Sequence, residues 1–502
     1  MKRILLLFTL LLATIHIWAF DFEKDGIYYD KFYAPNQLGV TSGTNKYSGS
    51  VIIPASVVYN NVTYSVTYIS GSTFSNCPEL ISVTIPNTVT SIGEWAFGGS
   101  IALTSVSLPN SITSISQYTF SGCKGLESLI IPNSVTNIGK YAFYACTKLI
   151  SVSIPNSVTN IDHWAFSGCS SLATIAIPNS VVTIGMEAFE NCYGLTSVKI
   201  PASVTDIGWY TFSFCTALTS INVDVKNKNY KSYKGVLFNK DMTSLIKLPE
   251  GFSGSYKMPN TVLEMSDLSI ASCKNLTSIT FSNKLNRIRD AVFIHCTGLT
   301  SINLPSSITS IGYSAFNGCV NLISINIPNS VTYLGNTTFQ DCINLKSIHA
   351  RSVVPVQLDN QRYNTFIGVP LDSCILYVPK GSKTVYENTP QWWDFSTIVE
   401  EETFVDEGNS TDDETIVDDE DIVDEGNITC LQTVTATKLD ISVIGDKVQI
   451  SNLKVGELVQ VYTSNGEMVL SEKATNATCE IQLSKNKMYI IKSGSKYAKI
   501  IL

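Results

Sequence analysis

Histidine is almost missing from this chain, with 4 in 502 residues. His16 falls in the first nineteen residues, which leaves His163, His295 and His349 for any acid–base or zinc chemistry. No C-x-x-C or H-E-x-x-H spacing occurs, and there is no nucleophile elbow or phosphate-cradling glycine loop. The expectation is therefore a protein that is not an enzyme and that needs no cofactor and no metal. Charge is scarce too. Charged residues make up 15% of the chain, against about 25% in ordinary domains. The net charge of −8 is concentrated, because Glu400 to Glu425 holds 14 acidic residues and no basic one, leaving +6 for the rest. A remainder so close to neutral gives no electrostatic footprint for nucleic acid. Long apolar runs are confined to Ile4–Ile17, preceded by Lys2 and Arg3 and followed by Trp18-Ala19. That run is shorter than the roughly 20 residues a bilayer needs, and its layout is that of a cleaved secretory signal. Residues 1–19 are accordingly set apart from the fold.

Periodicity is abundant. Cys77, Cys123, Cys146, Cys169, Cys192 and Cys215 fall on a register of 23, with Ser100 at the skipped step, and the register resumes at Cys273, Cys296, Cys319 and Cys342. Three residues earlier runs a phenylalanine column: Phe74, Phe97, Phe120, Phe143, Phe166, Phe189 and Phe212, then Phe293, Phe316 and Phe339. Proline forms a third column, at Pro86, Pro109, Pro132, Pro155, Pro178, Pro201, Pro305 and Pro328. In the unit around Leu172, Ile175 and Ile177, the L-x-x-L-x-L spacing is that of a leucine-rich repeat strand. Pro178, which lacks an amide donor, then ends the strand. One such coil cannot bury its apolar set alone, so the coils must stack. Eleven strands of this kind are predicted between Leu80 and Ile348.

The predicted organisation is a signal peptide (1–19), an N-terminal cap with the first strands (20–70), and a β-rich leucine-rich-repeat solenoid of 23-residue coils (71–350). A C-terminal cap (351–399), an acidic linker (400–430) and a small antiparallel β-sandwich (431–502) follow. The 58 residues from Cys215 to Cys273 exceed one period by 35. Their two apolar stretches flanking Asn239 to Thr243 predict a β-hairpin insert, at about 224–258, projecting from the solenoid. The acidic segment, with its repeated Val-Asp-Glu-Gly-Asn at 405–409 and 423–427, repels itself and reads as an extended spacer. Calcium binding is its alternative, although no twelve-residue EF-hand loop is present.

Thirteen cysteines in an exported chain suggest disulfides. Stacked neighbours would lie one strand spacing apart, about 4.7–4.9 Å, which exceeds the roughly 3.5–4.5 Å between bridged Cβ atoms. Buried free thiols are the expectation for the column, and the pairing of Cys374, Cys430 and Cys479 is left open. His163 stands where other coils carry Glu94, Gln117, Lys140 and Met186, a pattern that marks a solvent-facing position. His295 precedes Cys296, which the column already accounts for.

Two registers are candidates for contact with a partner. The outward strand position is hydroxyl-rich, with Ser82, Ser105, Ser128, Ser151, Thr174, Ser197, Ser220, Ser278, Ser301, Ser324 and Ser347. Its plainer explanation is hydroxyls satisfying one another along the stack. Two residues before the column phenylalanine stand Trp95, Tyr118, Tyr141, Trp164, Glu187 and Tyr210, whereas later coils carry Ala291, Ser314 and Thr337. Trp95, Tyr118, Tyr141, Trp164 and Tyr210 form the candidate binding stripe, since Tyr and Trp combine contact area with a polar tip. The competing explanation is rings that only shield the phenylalanines from water.

From about Tyr47 to Glu401, these columns, the hairpin insert and the closing segment Cys374–Ser382 through Trp392-Trp393 resemble the BspA-like leucine-rich repeat surface proteins. The resemblance implies an extracellular adhesive or binding role, with host or bacterial proteins or glycans as partners. The tail is similar to the sorting domain of the type IX secretion pathway. The similarity rests on the segment Val459–Val469, on Tyr489-Ile490-Ile491-Lys492 and on Lys499-Ile500-Ile501-Leu502. Lys487 stands where that family usually has glycine. This second resemblance implies removal of the tail and attachment to surface lipopolysaccharide, or release. An adhesin-like surface protein is the leading expectation, with a glycan-capture protein and a structural surface-layer component as alternatives.

Overall fold

The computed structural model describes residues 20–31, 35–358 and 364–402, together with 440–444, 447–451, 458–463, 468–476, 478–482, 488–493 and 496–501. The expected signal peptide, most of the acidic spacer and Cys430 lie outside the described residues. The chain divides near Thr411 into two compact units.

The first unit is a β-solenoid of about 14 turns with about 23 residues per turn. Each coil contributes two short parallel strands. Ser128–Ile130 pairs with Ser151–Ser153, one period on, with Ser128 opposite Ser151. The second column runs Ser114–Ile115, Asn137–Ile138, Asn160–Ile161, Thr183–Ile184, Asp206–Ile207, again in steps of 23. All eleven expected strands from Leu80 to Ile348 form, and Gly49–Ile52, Ser253–Lys257, Ile375–Pro379 and Thr397–Glu401 extend the stack. The column prolines open a tight turn after the first strand, where the carbonyl of Pro132 accepts the amide of Val135 at 3.0 Å.

Inside, the phenylalanines stack with ring centroids 5.0–5.8 Å apart from Phe74 to Phe212. After the insert the stack resumes from Phe293 to Phe366. Trp392 and Phe395 close it edge-on against Phe366, and Tyr47 caps the other end against Phe74 at 4.6 Å. Each such ring pair is worth about 0.5–1.5 kcal/mol beyond its buried area, so the column binds neighbouring coils along the axis.

The cysteines of the stack are free and buried, and they do more than fill space. The thiols of Cys123, Cys146, Cys169, Cys192 and Cys215 donate to the carbonyl of the phenylalanine 26 residues earlier, at 3.1–3.3 Å. Ser100 keeps this bond, its hydroxyl donating to the Phe74 carbonyl. The serine fits because its γ-oxygen makes the same donation as the thiols.

The insert differs from expectation in one respect. It contains the hairpin, Val236–Asn239 antiparallel to Ser244–Lys247, together with a further strand, Tyr230–Tyr233. It does not project, because Val236, Leu237, Phe238, Leu245 and Leu248 are fully buried. Leu237 joins the apolar core of the earlier coils, while Val236 and Phe238 join that of the later ones. The insert is therefore a wedge within the stack. The acidic spacer also begins later than Glu400, since Glu400 and Glu401 belong to the last strand. Glu400 accepts the amides of Gly381 and Lys383, both at 3.0 Å, and Glu401 pairs with His349 and Arg351.

The second unit has two antiparallel sheets. One is Asp440–Ile444, Lys447–Ser451 and Cys479–Gln482; the other is Met468–Lys473, Leu458–Thr463, Met488–Ser493 and Lys496–Ile501. Val448, Ile450, Val459, Val461, Ile481 and Ile491 form its core, as alternating strands in a sandwich require.

Candidate functional site

Trp95, Tyr118, Tyr141 and Trp164 are brought together. Successive ring centroids lie 4.3, 4.6 and 4.8 Å apart, with planes within 8° of parallel. The rings stack face to face, so they offer solvent their edges. The stack stops at the next coil, where Trp164 Nε1 donates to Glu187 Oε2 at 2.7 Å. Tyr210, one coil further, is not part of it.

Every residue in this register adopts left-handed backbone geometry, from Trp95 (φ 58°) through Tyr210 (φ 60°) to Ala291, Ser314 and Thr337 (φ 53°, 51° and 56°). A left-handed non-glycine residue costs roughly 1–2 kcal/mol, which the stacking of one ring pair can offset. The coils carrying Ala291, Ser314 and Thr337 nevertheless fold with the same turn and without rings. The aromatic ladder is thus compatible with the turn and not demanded by it. The hydroxyl column does face outward, and Ser82 donates to Ser50 at 2.9 Å along it.

His163 is partly exposed, and its Nδ1 accepts the Met186 amide at 2.9 Å, so its ring serves the coil junction. His295 is exposed, while the Cys296 thiol donates inward to the Ile270 carbonyl at 3.1 Å. Burial raises the thiols of Cys123 and Cys215 to about 12, which keeps those two protonated and poor nucleophiles.

A second feature, not expected from the sequence, lies where the insert enters the stack. In regular coils the amide of the stripe residue donates to the next coil, as Tyr141 does to His163 at 3.0 Å, and so does that of the column phenylalanine, as Phe143 does to Ala165 at 2.7 Å. By register, Tyr210 and Phe212 should meet the carbonyls of Asp267 and Ser269. The insert intervenes: the Leu248 amide takes the Ser269 carbonyl at 2.8 Å, and Glu250 Oε1 takes the Phe214 amide at 2.7 Å. Lys247 pairs with Glu250 at 2.9 Å, both buried within the wedge. A cleft of about 450 Å³ results, lined among others by Trp209, Tyr210, Tyr230, Glu264, Asp267 and Arg289. Its sequence signal was the 35 residues in excess of one period, immediately after Trp209-Tyr210.

Fold and repeat together define a leucine-rich-repeat solenoid protein. The chain belongs to the BspA type leucine-rich repeat family, whose profile matches residues 56–170, 136–253 and 263–377, more than half of its length. It is similar to the crystal structure of a leucine-rich repeat protein from Bacteroides ovatus, with 26% identity over 75% of this chain and 98% of that one and a TM-score of 0.52. A leucine-rich cell surface protein from Faecalibacterium prausnitzii shares 26% identity over 68% and 97% of the two chains, at a TM-score of 0.50. The pneumococcal vaccine antigen PcpA shares the fold, at 22% identity over 76% and 98% and a TM-score of 0.55. No curated protein matches the chain. Among the described residues, no helix is long and apolar enough to cross a membrane.

Proposed function

We propose that this protein is a secreted, non-enzymatic binding protein of the cell surface, adhesin-like, that contacts extracellular proteins of a host matrix or of other bacteria through its early coils. The observation that carries the reading is the aromatic ladder on coils whose fold does not require it. Trp95, Tyr118, Tyr141 and Trp164 stack along the axis, while Ala291, Ser314 and Thr337 hold the same backbone without rings. Ring edges with polar tips suit a protein surface, whose apolar anchors and hydrogen-bonding groups they meet together. A sugar would need ring faces, and those between successive rings are already covered. The kinship with a cell surface protein from Faecalibacterium prausnitzii supports the location. Export through the apolar leader, sorting by the C-terminal sandwich and attachment to surface lipopolysaccharide complete the proposal.

The test replaces Trp95, Tyr141 and Trp164 together with alanine and follows binding to immobilised matrix proteins and mucins alongside thermal unfolding. Binding should weaken tenfold or more while the fold persists. A fall in stability with unchanged binding would mean that the ladder is only a shield over the phenylalanine column.

A further inference from the structure

The cleft at the insert differs chemically from the ladder, and we infer that it is a binding site for a short neutral saccharide. Three observations meet there. First, its aromatic rings have free faces. Trp209 is 78% exposed, and among the described residues neither it nor Tyr210 is stacked on another ring. An unstacked indole beside a cleft offers the flat apolar surface on which the C–H face of a sugar ring lies.

Second, the wedge leaves main-chain groups of the coil edge without protein partners. Among the described residues the amides of Tyr210 and Phe212 and the carbonyl of Asp267 make none of the coil-to-coil bonds that their counterparts make elsewhere in the stack. Two donors and an acceptor on fixed backbone, within reach of one cavity, suit the hydroxyls of a sugar, each of which both donates and accepts. The side chains extend this set. The hydroxyl of Tyr230 accepts the Ile207 amide at 2.9 Å and keeps its own proton to donate. Arg289 Nε holds Asp267 Oδ1 at 2.8 Å, fixing a polar pair that lines the cleft together with Glu264.

Third, the charges select among ligands. Lys247 is committed to Glu250 and Arg289 to Asp267, which leaves Glu264 as the uncompensated charge. A sialic or uronic acid would face that carboxylate, whereas a neutral sugar would hydrogen-bond to it. A peptide strand added to the open coil edge is disfavoured, because the edge does not continue: Tyr230 already closes the adjoining Ile207 amide. The volume lies within the roughly 300–1,000 Å³ usual for small-ligand sites.

This site is independent of the ladder, and so is its test. The full chain is titrated with neutral oligosaccharides built from glucose, galactose, mannose or N-acetylglucosamine, with hyaluronan fragments and tripeptides as comparison arms. Calorimetry and tryptophan fluorescence report binding. At least one neutral saccharide should bind, shift the emission, and lose tenfold or more in affinity in Trp209→Ala and in Glu264→Gln. The Trp95→Ala/Tyr141→Ala/Trp164→Ala variant should bind it unchanged, and Trp209→Ala should melt as the parent does. Failure of every neutral saccharide to bind, binding that survives both cleft substitutions, or preferential binding of the acidic fragments or tripeptides would each overturn the inference.

Discussion

Replacing Cys169 with alanine deletes a sulfur atom from a fully buried position and removes a thiol donor 3.2 Å from the Phe143 carbonyl. That carbonyl also accepts the Cys146 amide at 3.2 Å, so it is not orphaned. The loss is one weak hydrogen bond, on the order of 0.5–1 kcal/mol, plus burial and cavity terms for one heavy atom, on the order of 1–1.5 kcal/mol. The alanine variant should therefore be destabilised by about 2 kcal/mol. Cys169→Ser tests the reasoning, because the stack already contains this substitution at Ser100, whose hydroxyl donates to Phe74 and accepts the Cys77 amide at 3.1 Å. Serine gives up some apolar transfer energy but keeps the donor, so its cost should stay within about 1 kcal/mol. Guanidinium unfolding of the full chain, with equal slopes checked for the three proteins, measures both differences. A serine variant as unstable as the alanine one would refute the donor role and reduce the column to apolar filling.

Two predictions concern pH. Burial, followed by the neighbouring Glu187, raises the Glu190 carboxyl from 4.5 to about 7. A raised carboxyl favours the folded state in its protonated form, so this contribution is complete below about pH 4.5 and lost as the pH rises through about 7. The melting temperature should fall across that window in the parent and fall less in Glu190→Gln. Three of the column thiols act similarly at higher pH. Burial lifts Cys123, Cys215 and Cys342 to about 12, whereas unfolded thiols titrate near ~8.5. Stability should accordingly be complete below about pH 8.5 and decline towards pH 12, with Cys123→Ser, Cys215→Ser and Cys342→Ser combined reducing the slope of denaturation midpoint against pH.

The solenoid was legible because its information is repeated. Phe, Cys and Pro each recur at 23, and one coil's apolar set makes sense only when stacked. The donor role of the cysteines was not legible, because each thiol reaches a carbonyl 26 residues back, a distance set by the coil's path. Ser100 held the clue, since no purely apolar requirement would place serine there. The insert misled for a related reason. Its apolar strands form a self-contained hairpin pattern, and Lys247 and Glu250 beside them suggest a solvated edge, yet the two charges satisfy each other inside the wedge.

Tyr210 shows why register alone does not assign a role. It occupies the same place in its coil as Tyr118 and Tyr141, with the same left-handed backbone. Tyr118 and Tyr141 each have a ring on either side, so both present edges. Tyr210 follows Glu187 and precedes the wedge, so its ring lacks a stacking partner and its amide lacks the next coil's carbonyl. In a uniform stack each coil satisfies the one before it, and a surface of satisfied groups has little with which to hold a small ligand. An insertion that parts two coils while keeping both cores packed exposes main-chain groups without unfolding anything. On this reasoning a small-ligand site in such a protein belongs where the repeat is interrupted, with the intact coils on either side supplying the rigidity that keeps those groups in place, while the satisfied early coils are left to contact larger partners through their ring edges.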